Sequence, residues 1–185
     1  MVIEPKPAVL WFTGLSGAGK STISAAVEIE LRRRAVPTEY LDGDVVRAMS
    51  PTGFTRADRD AHVRRVGFLA SRLEHHGVTV VCALISPYAE ARQYVRSLCH
   101  RFIEIHVSTP LEECERRDRK GLYARARRGE ITHFTGIDDP YESPLHPELS
   151  IDTTRISVDE AVAMVMAVWA GEEVPVALAS FTVPR

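Results

Sequence analysis

A three-layer α/β/α fold around a central, mainly parallel five-stranded sheet is predicted for this 185-residue chain by three observations. Short apolar, β-rich runs alternate with longer stretches of helical periodicity, the pattern of successive βαβ units. Those runs are apolar throughout rather than alternating, so their strands are expected to be buried on both faces. A glycine-rich turn joins the first run to the first helix, where sheets of this kind bind ligands beyond the carboxyl ends of their strands.

The first strand is expected over residues 8–13. A helix follows over about 20–34, with Ile23, Val27 and Leu31 as its buried stripe and Pro37 closing the region. Residues 39–41 read as a short second strand running into Asp42-Gly43-Asp44. After a polar, turn-rich stretch over 50–55, a helix is expected over about 57–75. Val63, Val66, Ala70 and Leu73 share one of its faces, and Gly77 suits its C-terminal cap. Residues 78–85 carry the strongest strand pattern, stopped by Pro87. A helical pattern over 88–99 leads to a fourth strand over 101–107, and Pro110 suits the first position of a helix over 111–118. Residues 149–152 read as a fifth strand. Ser157 caps a last helix whose buried side is Val158, Val162, Val165 and Trp169. The intervening stretch, 120–147, has scattered glycines and few periodic apolar positions, which reads as a lid. The chain thus divides into one domain over 1–170, with the lid at about 119–147, and a tail over 171–185 expected to be surface-bound or mobile.

Composition excludes several classes. Apolar residues make up 45% and charged residues 26%, an ordinary globular balance, and a net charge of −2 gives no global basic field for nucleic acid or a membrane surface. No apolar run approaches the roughly 18 residues of a membrane span, and residues 1–7 are too short and polar for a signal peptide. Cys82, Cys99 and Cys114 have neither zinc-site nor disulfide spacing. They read as small apolar core residues in a protein of the reducing cytoplasm.

Gly14-Leu15-Ser16-Gly17-Ala18-Gly19-Lys20-Ser21 matches G-x-x-x-x-G-K-[ST] at every defined position, between a buried strand and an amphipathic helix. This is a P-loop, and it makes the expected fold of the P-loop NTPase type. Glycines let the backbone curl so that successive N–H groups face phosphate oxygens, and the helix N-terminus adds its dipole. Lys20 can bridge the β- and γ-phosphates of ATP, and the Ser21 hydroxyl can ligate Mg²⁺. Asp42 and Asp44 follow the second strand, close to that cradle. Asp44 can orient Mg²⁺-bound water or accept a proton from an attacking hydroxyl, and it can also cap the next helix. A GTPase would carry an N-K-x-D element, which this sequence lacks. Arg47, Arg59, Arg64 and Arg65 flank a turn bearing Phe54, a combination suited to an anionic nucleotide. From Arg116 to Arg128 seven basic residues stand against one acid, Asp118, which fits a lid that brings positive charge over a transferring phosphate.

Together these segments resemble the adenylyl-sulfate kinases, from about Val9 to Ala167. The likeness rests on the P-loop preceded by Leu10-Trp11-Phe12-Thr13 and followed by Thr22. It continues through Leu41-Asp42-Gly43-Asp44, Gly53-Phe54-Thr55, Asp58-Arg59, Ile85-Ser86-Pro87-Tyr88 and Arg117-Asp118. Lys120-Gly121-Leu122-Tyr123, Phe134-Thr135-Gly136-Ile137-Asp138 and Pro140-Tyr141-Glu142 complete it. The resemblance implies that ATP phosphorylates the ribose 3′-hydroxyl of adenylyl sulfate, with Lys20, Asp44 and Ser86 as the catalytic group and Mg²⁺ on Ser21 and Asp44. It places ATP on residues 14–22 and Arg117, with Arg117 against its adenine. It has Arg47 and Arg59 hold the phosphosulfate and Phe54 and Phe134 sandwich the acceptor adenine. Asp42, His62, Ile85 and Ser86 line the acceptor side, and Lys120 begins the lid. Ser86 is read as a substrate contact in a direct in-line transfer rather than as a phosphoserine intermediate. A homodimer working beside an ATP sulfurylase is implied as well. The chain departs from relatives at His62, usually asparagine, at Ala89 and Ala124, usually arginine and lysine, and in a slightly shorter 47–54 loop. A kinase of another small nucleotide or alcohol, or a silent nucleotide-binding partner, stays open as the alternative.

Overall fold

The computed structural model describes residues 6–49 and 53–174. The elements run β1 (Val9–Thr13), α1 (Lys20–Arg33), β2 (Thr38–Asp42), α2 (Gly43–Met49), α3 (Arg56–His75) and β3 (Thr79–Ala83). They continue α4 (Ala89–Leu98), β4 (Phe102–Val107), α5 (Leu111–Arg117), α6 (Leu122–Arg127), β5 (Leu149–Ile151) and α7 (Val158–Ala170). The five strands pair in parallel in the order β2-β3-β1-β4-β5. The expected fold class is therefore found.

Strand alternation sorts side chains into two cores. From β1, Leu10 and Phe12 pack with α1 and α7, where Ile23, Val27 and Leu31 form the anticipated stripe. Val9 and Trp11 point to the other face, against Val63, Val66 and Ala70 of α3 and Ala91 and Val95 of α4. Every residue of β1 and β3 is buried, which is why neither strand shows the alternation of a one-sided sheet. Cys82 and Cys114 are buried and free, as expected of core residues.

Capping sets the helix starts. Thr55 and Asp58 close a capping box on α3, and Ser157 and Glu160 do the same on α7. At the start of α2, the Asp42 carboxylate accepts the N–H groups of Asp44 (2.7 Å) and Val45 (3.3 Å). The capping role considered for Asp44 thus belongs to Asp42, which frees the Asp44 carboxylate.

Several expectations need correction. The turn-like Asp42-Gly43-Asp44 opens a helix, α2, that its short, glycine-led sequence hid. The third strand stops at Ala83 rather than 85; Leu84 N–H still donates to the Phe12 carbonyl at 3.1 Å, and the Ile85 carbonyl then accepts the Thr13 hydroxyl at 2.7 Å. Pro110 sits at the N-cap of α5, one residue before the helix. In α7, Val158 is exposed, and the buried side is Ala161, Met164, Val165 and Trp169. The supposed structureless stretch after Lys120 contains α6. Its later part is tied down by Tyr88 donating to Asp139 (2.7 Å) and Ala89 N–H donating to Glu142 (2.7 Å). The expected tail falls outside the described residues beyond Val174, as do residues 50–52 of the loop before Phe54. Among the described residues, no helix is long and apolar enough to cross a membrane.

Candidate active site

β1 ends in the middle of the sheet, and the chain turns at once into α1. Gly14 has φ 151° and lies so near the end of β4 that a Cβ would sit 2.5 Å from the Val107 carbonyl oxygen. Gly19, at φ 107°, occupies the N-cap of α1 in a conformation that side chains rarely adopt. The loop carbonyls are held from outside. Ser16 O accepts the Tyr123 hydroxyl (2.9 Å), and Ala18 O accepts the hydroxyls of Thr109 (2.8 Å) and Thr153 (3.0 Å). Gly17 O accepts Arg117 (3.3 Å), which is itself oriented by Glu113 and Thr153. Carbonyls fixed outwards turn the amides inwards, forming an electropositive nest at a helix N-terminus.

Lys20 reaches back over this nest, its ammonium donating to the carbonyls of Gly14 (2.9 Å) and Leu15 (2.7 Å). Burial pushes its pKa down to about 8. Such an amine is poised to gain from an anionic ligand.

The nest opens into a cavity of about 1000 Å³ at the carboxyl ends of the strands. The structure brings Ser16, Gly17, Gly19, Lys20, Ser21, Thr22 and Arg117 to its wall. Gly14, Leu15 and Ala18 do not line it. They shape the loop instead, Ala18 being fully buried and Leu15 packed against the core. All ten residues expected on the acceptor side reach the cavity: Asp42, Asp44, Arg47, Phe54, Arg59, His62, Ile85, Ser86, Lys120 and Phe134.

Asp44 is held below the usual carboxylate range first by its hydrogen bond from Lys120 (2.6 Å), with Arg47 and Lys20 adding to the effect. Its carboxylate therefore feels both ends of the cleft. Arg59 is buried, donating to the carbonyls of Phe54 (3.0 Å) and His133 (2.6 Å), so it ties this wall of the cavity to the 120–147 segment. Arg47 and Arg59 lie over the Phe54 ring, at 4.9 and 5.6 Å from its centre. Phe134 is buried edge-on to Tyr123. The His62 ring is buried, and burial, with Arg47 nearby, lowers its pKa to about 4, so it is neutral near pH 7. Its Nδ1 has no hydrogen-bond partner among the described residues.

Ser86 sits in the left-handed region at φ 40°. Its hydroxyl oxygen accepts the indole N–H of Trp11 (3.1 Å), and its carbonyl accepts the guanidinium of buried Arg92 (2.7 Å). Trp11, Arg92, Thr153 and Tyr123 are contributors that sequence reasoning left without a role. Trp11 and Tyr123 stood inside recognised segments, whereas Thr153 and Arg92 carried no signal of their own.

A phosphate nest facing a second, arginine-walled pocket across one carboxylate defines a P-loop kinase of small molecules. The chain belongs to the adenylylsulphate kinase family, whose model matches residues 6–152. It is 54% identical over 159 residues to the adenylyl-sulfate kinase of Synechococcus sp. (strain JA-3-3Ab), covering 85% of this chain and 90% of that one. Among solved structures, the Mycobacterium tuberculosis APS kinase in complex with AMPPNP and APS superposes with a TM-score of 0.84 and 43% identity, over 89% of this chain and 98% of that one. A hexameric APS kinase from Thiobacillus denitrificans matches with a TM-score of 0.68 and 37% identity, over 88% of this chain and 28% of the other.

Proposed function

We propose that this chain transfers the γ-phosphate of ATP to the 3′-hydroxyl of adenosine 5′-phosphosulfate, giving 3′-phosphoadenosine 5′-phosphosulfate. The carrying observation is the two-ended cleft, with Lys20 and Ser21 at one end, Arg47, Phe54 and Arg59 at the other, and Asp44 facing both. ATP phosphates lie in the nest, with Arg117 on the adenine side. Arg47 and Arg59 take the phosphosulfate, while Phe54 and Phe134 hold the acceptor adenine. Asp44 orients the 3′-hydroxyl and accepts its proton as the phosphoryl group is transferred in line.

Ser86 serves as a substrate contact in this reading. A nucleophilic serine needs a base beside its hydroxyl. The hydrogen-bond partner of Ser86 Oγ among the described residues is a donor, the Trp11 N–H, which withdraws electron density and leaves the serine proton to be given to a ligand. Direct transfer fits that geometry better than a phosphoserine.

Mg²⁺ fits the donor set of Ser21 and Asp44, an exposed hydroxyl and an ionised carboxylate that are both hard oxygens lining the cleft. When bound, it would supply charge neutralisation on the phosphates. The reading also includes a homodimer associated with an ATP sulfurylase in the cytoplasm. Exposed Phe68 and Leu69 on α3 support self-association, which analytical ultracentrifugation would test.

The deciding experiment couples ADP release to the addition of adenylyl sulfate in the presence of ATP and Mg²⁺. Acceptor-dependent ADP release is expected, and Lys20→Ala should lower turnover by on the order of 10² or more through loss of a transition-state charge contact. If adenylyl sulfate evokes no ADP release, the assignment fails. A kinase of another nucleotide is the second reading, favoured by the unpartnered His62 Nδ1, which an acceptor with an additional hydrogen-bond donor would satisfy. It prevails if such a nucleotide outperforms adenylyl sulfate in kcat/KM. Arg59→Ala should raise KM for adenylyl sulfate far more than it weakens ATP binding. Equal losses in both would contradict its place on the acceptor wall.

A further inference from the structure

At the opposite end of the sheet from the cleft, α3 ends beside the turn that leads into β4. Glu74, in the last turn of α3, is buried, and its carboxylate accepts the N–H groups of His100 (3.3 Å) and Arg101 (3.1 Å). This bond pair pins the turn to the helix. It does not account for the imidazoles. His75 Nε2 and His100 Nδ1 both stand 3.6 Å from one oxygen of that carboxylate, Oε2. The two rings stack with centroids 4.0 Å apart. The Leu98 carbonyl lies 3.1 Å from His75 Nε2.

We propose that Glu74, His75 and His100 form a site for a divalent transition metal of the Zn²⁺ or Co²⁺ type. Two imidazoles and a carboxylate are a donor set such ions favour. With metal–ligand bonds of about 2.1 Å, tetrahedral donors lie roughly 3.4 Å apart. Both nitrogens are thus within a few tenths of an ångström of the required distance from Oε2, and because the rings are stacked, binding turns them apart so that both in-plane lone pairs aim at one ion. The carboxylate is buried, and the N–H groups of His100 on Oε2 and Arg101 on Oε1 fix its direction, as hydrogen bonds behind a metal ligand do. Binding places the His75 proton on Nδ1 and leaves the Nε2 lone pair to the ion. The Leu98 carbonyl, relieved of that hydrogen bond, or a water takes the fourth position. The metal clamps the end of α3 to the 98–101 turn, away from the phosphate nest.

The test uses the full chain, stripped with a chelator, free of nucleotide, and titrated separately with Zn²⁺ and Co²⁺. One equivalent should bind calorimetrically, Co²⁺ should develop visible d–d bands of tetrahedral intensity, and Tm should rise with Zn²⁺. His100→Ala should abolish all three while retaining Mg²⁺-supported kinase turnover, since its side chain is 75% exposed and lies far from the cleft. His75→Ala provides the second check. The proposal is overturned if no metal binds, or if His100→Ala binds as the parent does, which would move the ion to the carboxylates of the cleft.

Discussion

Lys20 shows how one residue couples fold to chemistry. The same nest that needs its charge also buries it, and burial holds its pKa near 8 instead of the ordinary 10.5. A triphosphate beside it favours the ammonium, so the bound pKa must lie above the free one. Nucleotide binding should therefore take up protons between those two values and take up almost none well below pH 8, where the amine is already charged. Titrating the protein with ADP in two buffers of different ionisation enthalpy, at about pH 8.5, measures the uptake. Heats independent of buffer at that pH would contradict the buried amine. The P-loop glycines, Lys20 and Ser21 were legible in the sequence because each is required by backbone shape or by charge at a fixed place in a local motif. Arg92 was not, although it holds the Ser86 carbonyl, pairs with Glu104 (2.8 Å) and reaches the Glu142 carbonyl (2.6 Å). Its partners come from three separate stretches of chain, and spacing along the sequence carries no trace of that meeting.

Among the elements, the long, strongly periodic ones were readable, and the short ones were not. α1 and α3 announce themselves by stripes that the core confirms. α2 and α6 have only seven and six residues, too short for a stripe, and each begins at a glycine or just after one. Each is held instead by an aspartate shortly before its first turn. Asp42 takes the first amides of α2, and Asp118 accepts the N–H groups of Tyr123 and Ala124 at 3.0 Å each in α6. Close packing between elements is similarly invisible beforehand. α3 crosses α4 at Gly67, where an added Cβ would fall within the Val95 side chain. Gly67→Ala gains helix propensity but must push the two helices apart. Overpacking of this kind costs about 1–3 kcal/mol, against a propensity gain of about 1 kcal/mol. The net expectation is a lower urea midpoint for Gly67→Ala at unchanged m-value. A midpoint at or above the parent's would show that α4 yields freely at this crossing.

For the molecule as a whole, the segment over 119–147, proposed as a lid, is unevenly anchored. Its later part is held to the rest of the domain by Tyr88 to Asp139, Ala89 to Glu142, Arg92 to the Glu142 carbonyl, and Tyr141 with Thr13 at 2.9 Å. The earlier part, around α6, reaches the cleft mainly through Lys120 on Asp44 and Tyr123 on the Ser16 carbonyl. The Lys120–Asp44 pair is exposed on both sides, so by itself it contributes little stability. On the proposed reading both of its members are needed elsewhere once the substrates are in place, Asp44 at the acceptor hydroxyl and Lys120 in the closing lid. We therefore expect closure to act as a hinge that starts near 118 and ends at the Phe134 turn, where Asp138 accepts the N–H groups of His133 (2.7 Å) and Phe134 (2.6 Å). Amide hydrogen exchange reads this directly, because local opening free energy tracks how many contacts a segment must break. With ADP and adenylyl sulfate both bound, protection should rise steeply over residues 118–133 and change little over 134–142, already protected in the free protein. Either nucleotide alone should give only part of the effect, since each engages one member of the Lys120–Asp44 pair. A uniform rise across 118–142 would mean that the lid moves as one body, and the hinge at Phe134 would have to be abandoned.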